Sequence, residues 1–197
     1  LIQIANEFGR GKSKHRPRND QKLYGGKYPF VQTGDIRNAK KYVNTYSQTY
    51  NEVGLQQSRL WNEGTICITI AANIAETAIL GFRSCFPDSI IGLVVNSDLA
   101  DIDYTYYSLQ YLKSELQKLG KGSAQDNINL GTFKDLKFPF PGINTQRAIV
   151  EELDELKSKV DSIVEDYQKK IINLEEIKKS ILKKAFAGEL TNRMIEV

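Results

Sequence analysis

The sequence predicts an α+β fold, a mixed domain followed by one long α-helix, from three observations. Segments rich in β-branched and aromatic residues, typical of strands, lie within residues 1–140. The proline-rich stretch FPFPG at 138–142 then interrupts any regular element. After it, a helical pattern runs from Thr145 to Ala187, with Asn144 or Thr145 as the expected N-cap. With 197 residues, 41% of them hydrophobic, the chain can form one sizeable core and an appendage.

Three segments of the mixed domain have the composition of strands, and one has the spacing of a helix. The predicted strands are YPFVQT (28–33), TICITI (65–70) and SIIGLVVNS (89–97). The predicted helix is TYYSLQYLKSELQKLG (105–120), which places Leu109, Leu112, Leu116 and Leu119 on one face and stops at Gly120. These elements support the mixed class.

Composition limits the environment of the chain. No stretch of eighteen uncharged apolar residues is present, so we expect no membrane span. The sequence starts at Leu1 with no charged-then-apolar leader, which suggests a fragment without a targeting signal. Cys67 and Cys85 are too few for a disulfide framework or a metal site. We therefore expect a reducing, cytoplasmic location and no metal.

The long helix has one apolar face. Between Thr145 and Ala187 it extends about 65 Å at 1.5 Å per residue, whereas ~140 residues form a domain with a radius of gyration of about 14 Å. We therefore expect the helix to project and to pair with another helix in a coiled coil, although it could instead fold back on its own domain. The pairing face consists of Ile149, Leu153, Leu156, Val160, Ile163, Tyr167, Ile171, Leu174, Ile177 and Ile181. After Tyr167 the register of the apolar residues slips, in a way that resembles a stutter.

Positive charge is concentrated near the start of the sequence. Residues 1–41 carry a net charge of +7, whereas residues 42–144 carry −3. A basic segment on a nearly neutral chain indicates a partner of negative charge, and nucleic acid is the leading candidate. The segment GRGKSKHRPRN (9–19) predicts a flexible loop for phosphate contact, although a solvated charge run is the alternative. Its candidate DNA-binding residues are Arg10, Lys12, Lys14, His15, Arg16 and Arg18.

Two further segments contain residue types that read base edges, although both could equally be ordinary surface loops. LQQSRLW (55–61) offers Gln56, Gln57, Ser58 and Arg59. GSAQDNIN (122–129), with the preceding lysine, offers Lys121, Ser123, Gln125 and Asn127.

The end of the sequence resembles a repeat of the specificity subunits of type I restriction-modification systems. PFPGINTQRAIVEELDELKSKVDSI followed by SILKKAFAGEL is similar to the segment in which that family passes from a proline-containing strand end into a long helix. The closing Ala-Phe-x-Gly-x-Leu signature matches Ala185, Phe186, Gly188 and Leu190. Gln146 matches the family's glutamine, whereas Thr145 stands where glutamate is usual.

Upstream segments resemble the same family in the same order. GGKYPFVQTGDI (25–36) is similar to the opening of its target recognition domain. AANIAETAILGF (71–82) resembles a later strand-turn, with Ala75 in place of the usual glycine. LGKGSAQDNINLGTFKDLKFPFP (119–141) resembles the loop and strand that close the domain. Each motif alone is weak, but the colinear set is fairly specific.

The resemblance implies a function and a domain order. It predicts a DNA target recognition domain over 1–140, a coiled-coil helix over 141–190 that acts as a spacer and dimerisation arm, and a tail over 191–197. In the family, two such helices pair antiparallel and each domain reads one half of a bipartite DNA site. The chain is then a half-length subunit that forms a homodimer, or half of a longer subunit. The implied partners are double-stranded DNA, a second specificity half, methyltransferase subunits and restriction or translocase subunits.

The sequence predicts no catalysis and no cofactor. It lacks a glycine-rich methionine-cofactor loop and an Asn/Asp-Pro-Pro-aromatic motif. A nuclease set could be assembled from Pro87, Asp88 and Asp135-Leu136-Lys137, but this pairing is common by chance. Two alternatives remain open, the recognition region of a single-chain type IIG restriction enzyme and methyltransferase, and a coiled-coil interaction module without DNA function.

Overall fold

The computed structural model describes residues 1–71, 73–121, 128–133 and 136–190, with only the backbone at Lys121. The chain divides into two compact units, Leu1–Val150 and Glu151–Val197. The first unit contains two β-sheets and three helices among its described residues, and a long helix continues from it into the second unit. The predicted α+β class with a long C-terminal helix is confirmed. None of the described helices is long and apolar enough to span a bilayer.

The described elements follow in chain order. The strands are β1 (Ala5–Arg10), β2 (Tyr24–Phe30), β3 (Tyr42–Val43), β4 (Gln48–Tyr50), β5 (Leu60–Trp61), β6 (Ile66–Thr69), β7 (Thr77–Leu80), β8 (Ser84–Cys85) and β9 (Ile90–Val95). The helices are α1 (Thr33–Asn38), α2 (Glu52–Gln56), α3 (Ile102–Lys121) and α4 (Ile143–Phe186), with short 3-10 turns at Ile2–Ile4, Gln21–Leu23 and Leu130–Phe133. One sheet has the order β1-β9-β6-β7-β3 and the other β4-β2-β8-β5.

The central strand β6 explains why the segment TICITI is apolar throughout. Ile66 and Ile68 belong to the core cluster that also contains three leucines of α3, while Cys67 belongs to a second cluster with Trp61 and Phe86. Because both faces of the five-stranded sheet are buried, the strand needs apolar residues at every position instead of alternating ones. All of the β6 residues are accordingly buried.

Helix α3 covers one face of this sheet, with one departure from the predicted pattern. Leu109, Leu112 and Leu116 are buried as expected, but Leu119 is 51% exposed. The buried residue in the last turn is Gly120, where a Cβ would lie 2.7 Å from Cδ1 of Ile74. The helix runs on to Lys121, so this glycine allows close packing and does not stop the helix as predicted.

The start of α4 is fixed inside the first unit. The helix begins at Ile143, so the predicted N-caps Asn144 and Thr145 are wrong. The carbonyl oxygen of Gly142 accepts from the N–H groups of Thr145 (2.9 Å) and Gln146 (3.0 Å). Gln146 is fully buried, and its amide accepts from the Asp101 N–H (2.9 Å) and donates to the Pro141 oxygen (2.8 Å). This buried amide gives the glutamine of the family motif a physical role.

The end of α4 gives the glycine of the closing signature a role as well. Gly188 has a φ of +78°, a backbone conformation that side chains disfavour. Its N–H donates to the Ala185 oxygen (3.1 Å), and the Glu189 N–H donates to the Lys184 oxygen (3.0 Å). This pair of bonds is a Schellman cap, which satisfies carbonyl groups in the last turn. The 44-residue helix is therefore about 66 Å long.

Candidate nucleic-acid interface

The basic segment 9–19 is anchored at its start and is not a free loop. Gly9 and Arg10 lie in β1, where they pair with Gly92 and Ile91 of β9. The next two residues continue this attachment, since the N–H of Gly11 donates to the Ile90 oxygen (2.9 Å) and that of Lys12 to the Phe86 oxygen (3.1 Å). The segment therefore leaves the neighbouring backbone only after Lys12. We call residues 11–20 the basic loop.

Gly11 determines how closely this loop approaches the β8–β9 connection. A Cβ at this position would overlap the carbonyl oxygens of Phe86 and Pro87. Because backbone atoms cannot move aside as a side-chain tip can, Gly11→Ala should displace the loop and lower the free energy of unfolding by about 1–3 kcal/mol. Chemical denaturation of both proteins measures the change. Gly9→Ala is the control, because a Cβ at Gly9 meets no atom within 4 Å; equal stability of the two variants would contradict the prediction.

The cations of the basic loop fall into two groups. Arg18 is ion-paired with Asp88 (2.7 Å), and Arg16 lies 3.9 Å from the same carboxylate. Arg16 also donates to the backbone oxygens of Ser13 (2.6 Å) and His15. Lys12 and Lys14 are exposed and have no acidic partner within the described ranges. Within the basic loop, the two lysines therefore present the positive charge that is least compensated by acidic side chains.

His15 contributes to the shape of the loop. Its Nε2 lies 2.8 Å from Oδ2 of Asp20. The backbone N–H of Lys22 and the side chain of His15 lower the pKa of Asp20 below its usual value. The described residues contain no group of three or more potential metal ligands, so no metal set forms around His15 there.

The predicted contact segment 56–59 packs beside the basic loop. Oε1 of Gln57 accepts from the His15 N–H (3.0 Å), while its Nε2 donates to the Gly54 oxygen (3.1 Å). Ser58 donates from Oγ to the Lys12 oxygen (2.8 Å). The fold thus brings the segment 56–59 next to the basic loop, and Gln57 and Ser58 hold the loop by hydrogen bonds to its backbone.

Arg59 also has partners inside the domain. Its guanidinium is ion-paired with Glu7 and lies 4.1 Å from the centre of the Trp61 ring. Gln56 is the exposed glutamine of this segment. DNA contact by these residues stays a prediction. In the free protein, the side chains of Gln57 and Arg59 already form bonds within the domain.

Replacing Gln57 tests its bracing role. Gln57→Ala removes the acceptor for the His15 N–H, so we expect faster hydrogen exchange in the basic loop, by about fivefold at His15 if a bond worth roughly 1 kcal/mol is lost. Exchange measured by mass spectrometry on peptides that cover residues 11–20 reports this change. Gln56→Ala is the matched control, because Gln56 is exposed. Unchanged exchange in the Gln57 variant would show that the loop is held without this side chain.

Several predicted residues cannot be placed. Ser123, Gln125 and Asn127 lie outside the described residues, as does the side chain of Lys121. Asp135 of the hypothetical nuclease set also lies outside them. Asp88, the other carboxylate of that set, is paired with Arg18.

Sequence reasoning missed a polar groove next to the basic loop. Two adjoining clefts of about 330 and 380 Å³ share the side chains of Asn19, Tyr24 and Gln48. We call them together the polar groove. Their further lining residues are Ser13, Arg18, Gln21, Gly25, Phe30, Gln32, Thr33, Ser47, Thr49, Pro87 and Ser89. Amides and hydroxyls are the side chains that form hydrogen bonds to base edges, so this lining suits nucleic acid.

Aromatic packing supports the polar groove. The Phe30 and Tyr50 rings stack at 4.1 Å between centres, and Tyr24 lies 5.1 Å from Tyr50. Burial, then the neighbouring Tyr50, raises the pKa of Tyr24 to about 12. The Tyr24 hydroxyl donates to the Arg18 oxygen (2.7 Å). The groove wall thus also holds the end of the basic loop.

The helical second unit has an apolar face. The predicted pairing residues from position 156 onward are each more than half exposed in this chain: Leu156, Val160, Ile163, Tyr167, Ile171, Leu174, Ile177 and Ile181. Ile149 and Leu153 are partly exposed. Val164 and Leu182 extend the same face, at 46% exposure each. Long rows of exposed apolar side chains are typical of interaction surfaces, and pairing through this face stays a prediction.

Comparison with known proteins relates this architecture to specificity subunits. The chain is 25% identical over 182 residues to a putative type I restriction enzyme MjaX specificity subunit of Methanocaldococcus jannaschii, a match that covers 88% of the chain and 41% of that protein. It is 31% identical over 88 residues to the type I restriction enzyme EcoBI specificity subunit of Escherichia coli, covering 45% of the chain and 19% of that protein. The chain spans about two fifths of the length of the first of these relatives.

A solved structure has the same fold. The HsdS subunit from Thermoanaerobacter tengcongensis superposes with a TM-score of 0.69 at 22% sequence identity, covering 94% of this chain and 43% of that one. The family model described as Type I restriction modification DNA specificity domain matches residues 5–181. The match takes in the basic loop, the polar groove and most of α4. The chain therefore belongs to the type I restriction-modification DNA specificity family, as its motifs predicted.

Proposed function

We propose that this chain reads one half of a bipartite DNA sequence as the recognition part of a type I restriction-modification specificity subunit. The observation that carries the proposal is a basic loop anchored beside a polar groove, in a domain of the DNA specificity family. Lysines of the loop meet phosphates, which supplies affinity without sequence information. Groove amides and hydroxyls meet base edges, which supplies specificity.

The long helix acts as spacer and pairing arm in this proposal. It pairs antiparallel with a second specificity half, either another copy of this chain or the other half of a longer subunit. The exposed apolar face of α4 supports pairing, because such a face gains free energy when another helix covers it. Residues 1–140, 141–190 and 191–197 are then the recognition domain, the arm and the tail.

The remaining partners supply the chemistry. We infer that methyltransferase subunits dock on this chain and that restriction or translocase subunits join the assembly. The chain itself is non-catalytic in this proposal. The relatives are named as specificity subunits, and the family match covers both the domain and the helix. These matches favour neither a type IIG fusion nor an interaction module without DNA function.

Mapping methylation tests the proposal. The full reading frame that contains this chain is expressed with its methyltransferase in a host that lacks both, and modified bases are mapped across the host genome. We expect one bipartite motif, and a symmetric one if the chain acts as a homodimer. Methylation that depends on this chain but has no shared motif would contradict the recognition role. Methylation that does not require the chain would contradict it as well.

A further inference from the structure

The polar groove contains a hydroxyl group that the described protein does not satisfy. Ser13 is only 4% exposed, and its Oγ has no hydrogen-bond partner among the described residues. The residue lines the 330 Å³ part of the groove. Tyr50, Trp61 and Ser84 also carry buried polar atoms without a partner among the described residues, and Ser13 is the one of the four that lines the polar groove. A buried hydroxyl without a partner destabilises a folded protein, and a ligand bound in the groove is placed to supply that partner.

A second feature of the groove is a pair of amides in a fixed arrangement. Nε2 of Gln32 donates to Oε1 of Gln48 at 2.7 Å. Gln32 itself caps α1, where its backbone N–H donates to Oδ2 of Asp35 (2.8 Å). Gln48 lies exposed on β4, an edge strand of the four-stranded sheet. Because its oxygen is occupied, the amide nitrogen of Gln48 is the group presented to a ligand.

The lining of the groove favours a neutral ligand edge over a phosphate. Arg18 is the one charged side chain among the described residues that line it, and that cation is already paired with Asp88. The uncompensated lysines, Lys12 and Lys14, are not among the lining residues. Phosphates should therefore meet the loop, and the neutral amides and hydroxyls should meet bases.

We propose that Gln48 is a specificity-determining residue, positioned by Gln32, and that the Ser13 hydroxyl bonds the same nucleotide strand. This inference rests on the proposed DNA-reading function. With its oxygen held by Gln32, Gln48 donates from Nε2 to an acceptor in the major groove. Guanine presents O6 and N7 there, adenine presents N7 and thymine presents O4, each at a different place on the edge of the base pair. The fixed position of the Gln48 donor therefore selects the pair whose acceptor lies opposite it.

Sequence selection by the complete complex tests the role of Gln48. The specificity subunit with its methyltransferase selects duplexes from a randomised pool, and the bound fraction is sequenced. Gln48→Ala should relax the preference at one base pair by about tenfold or more and leave the other positions unchanged. Gln117→Ala is the matched control, since Gln117 lies on α3 and its amide donates to the Ile74 oxygen; it should leave the preference intact.

The outcomes separate the inference from the function on which it rests. A wild-type complex without any sequence preference overturns both. A wild-type preference that Gln48→Ala leaves unchanged at every position overturns the inference alone. Gln48 is exposed, so its removal should leave the stability of the fold unchanged, and thermal unfolding of each variant checks this.

Ser13→Ala provides an independent test, because it should not lower the melting temperature of the free protein but should weaken DNA binding. Removing a hydroxyl that has no partner should leave the melting temperature of the free protein unchanged or higher. The same change should weaken binding of the complex to its selected duplex by roughly fivefold, since a bond to the DNA strand is lost. A lower melting temperature with unchanged DNA affinity would show that the hydroxyl serves the fold and would overturn its assignment to the ligand.

Discussion

Replacing Leu156, Val160 and Ile163 together with serine should abolish pairing of the long helix. These side chains are 51–57% exposed in the single chain, so a partner helix would bury about half of each surface. Full burial of such a side chain contributes about 1.5–3 kcal/mol, so the three together lose a few kcal/mol per helix, and a homodimer loses this twice. Light scattering should show a monomer in place of a dimer, with the melting temperature of the first unit unchanged.

Two neighbouring isoleucines give a sharper control. Ile171 lies on the predicted pairing face, whereas Ile172 lies 100° around the helix from it, and both are more than half exposed. Ile171→Ser should weaken self-association, or pairing with the other half of a longer subunit, and Ile172→Ser should not. Equal effects of the two substitutions would contradict a single pairing face, and a monomeric wild-type chain that also fails to pair with another half would contradict pairing itself.

Removing the two uncompensated lysines of the basic loop should have the largest effect on DNA affinity. Lys12 and Lys14 have no acidic partner among the described residues, unlike Arg18 with Asp88. If each lysine neutralises one phosphate, changing both to glutamine should reduce the salt slope of binding by about 1.8 and weaken cognate and scrambled duplexes alike. Titrations of the complete complex across a salt series measure both quantities.

The control for this prediction removes a positive charge from a position outside the basic loop. Lys118 on α3 is exposed, and Lys118→Gln removes one positive charge as each loop variant does. A single Lys14→Gln variant should lower the slope by about 0.9, and Lys118→Gln should leave it unchanged. If neither affinity nor slope changes in the double variant, the basic loop is a solvated surface and DNA binds elsewhere on the domain.

The fold class was predictable because the relevant signals are local. Continuous apolar composition indicated β6 and β9, and helical spacing of apolar residues sustained over many turns indicated α4. Most of the remaining strands have two to four residues, such as β3 and β5, and are defined by their pairing partners. Strands so short contain too few residues to show a period of their own.

The candidate interface was only partly predictable. Local charge density indicated the basic loop, and local composition indicated the segment 56–59. Neither signal indicated that Gln57 and Ser58 would form hydrogen bonds to the backbone of that loop. The polar groove could not be found in this way. Its residues come from sequence segments between Ser13 and Ser89, and each segment by itself looks like an ordinary strand or turn.

The sequence by itself determined the properties that depend on near neighbours in the chain. These are the mixed domain, the single long helix with its apolar face, the basic segment and the motifs of the family. Tertiary structure alone decided which polar groups remain available to a ligand. Arg59 and Gln57 looked free in the sequence but are engaged by Glu7 and by the backbone of His15, whereas Gln48 gained its position from Gln32. Hydrogen bonds and ion pairs are satisfied by groups that folding brings together, often dozens of residues apart, and no local pattern records those partners.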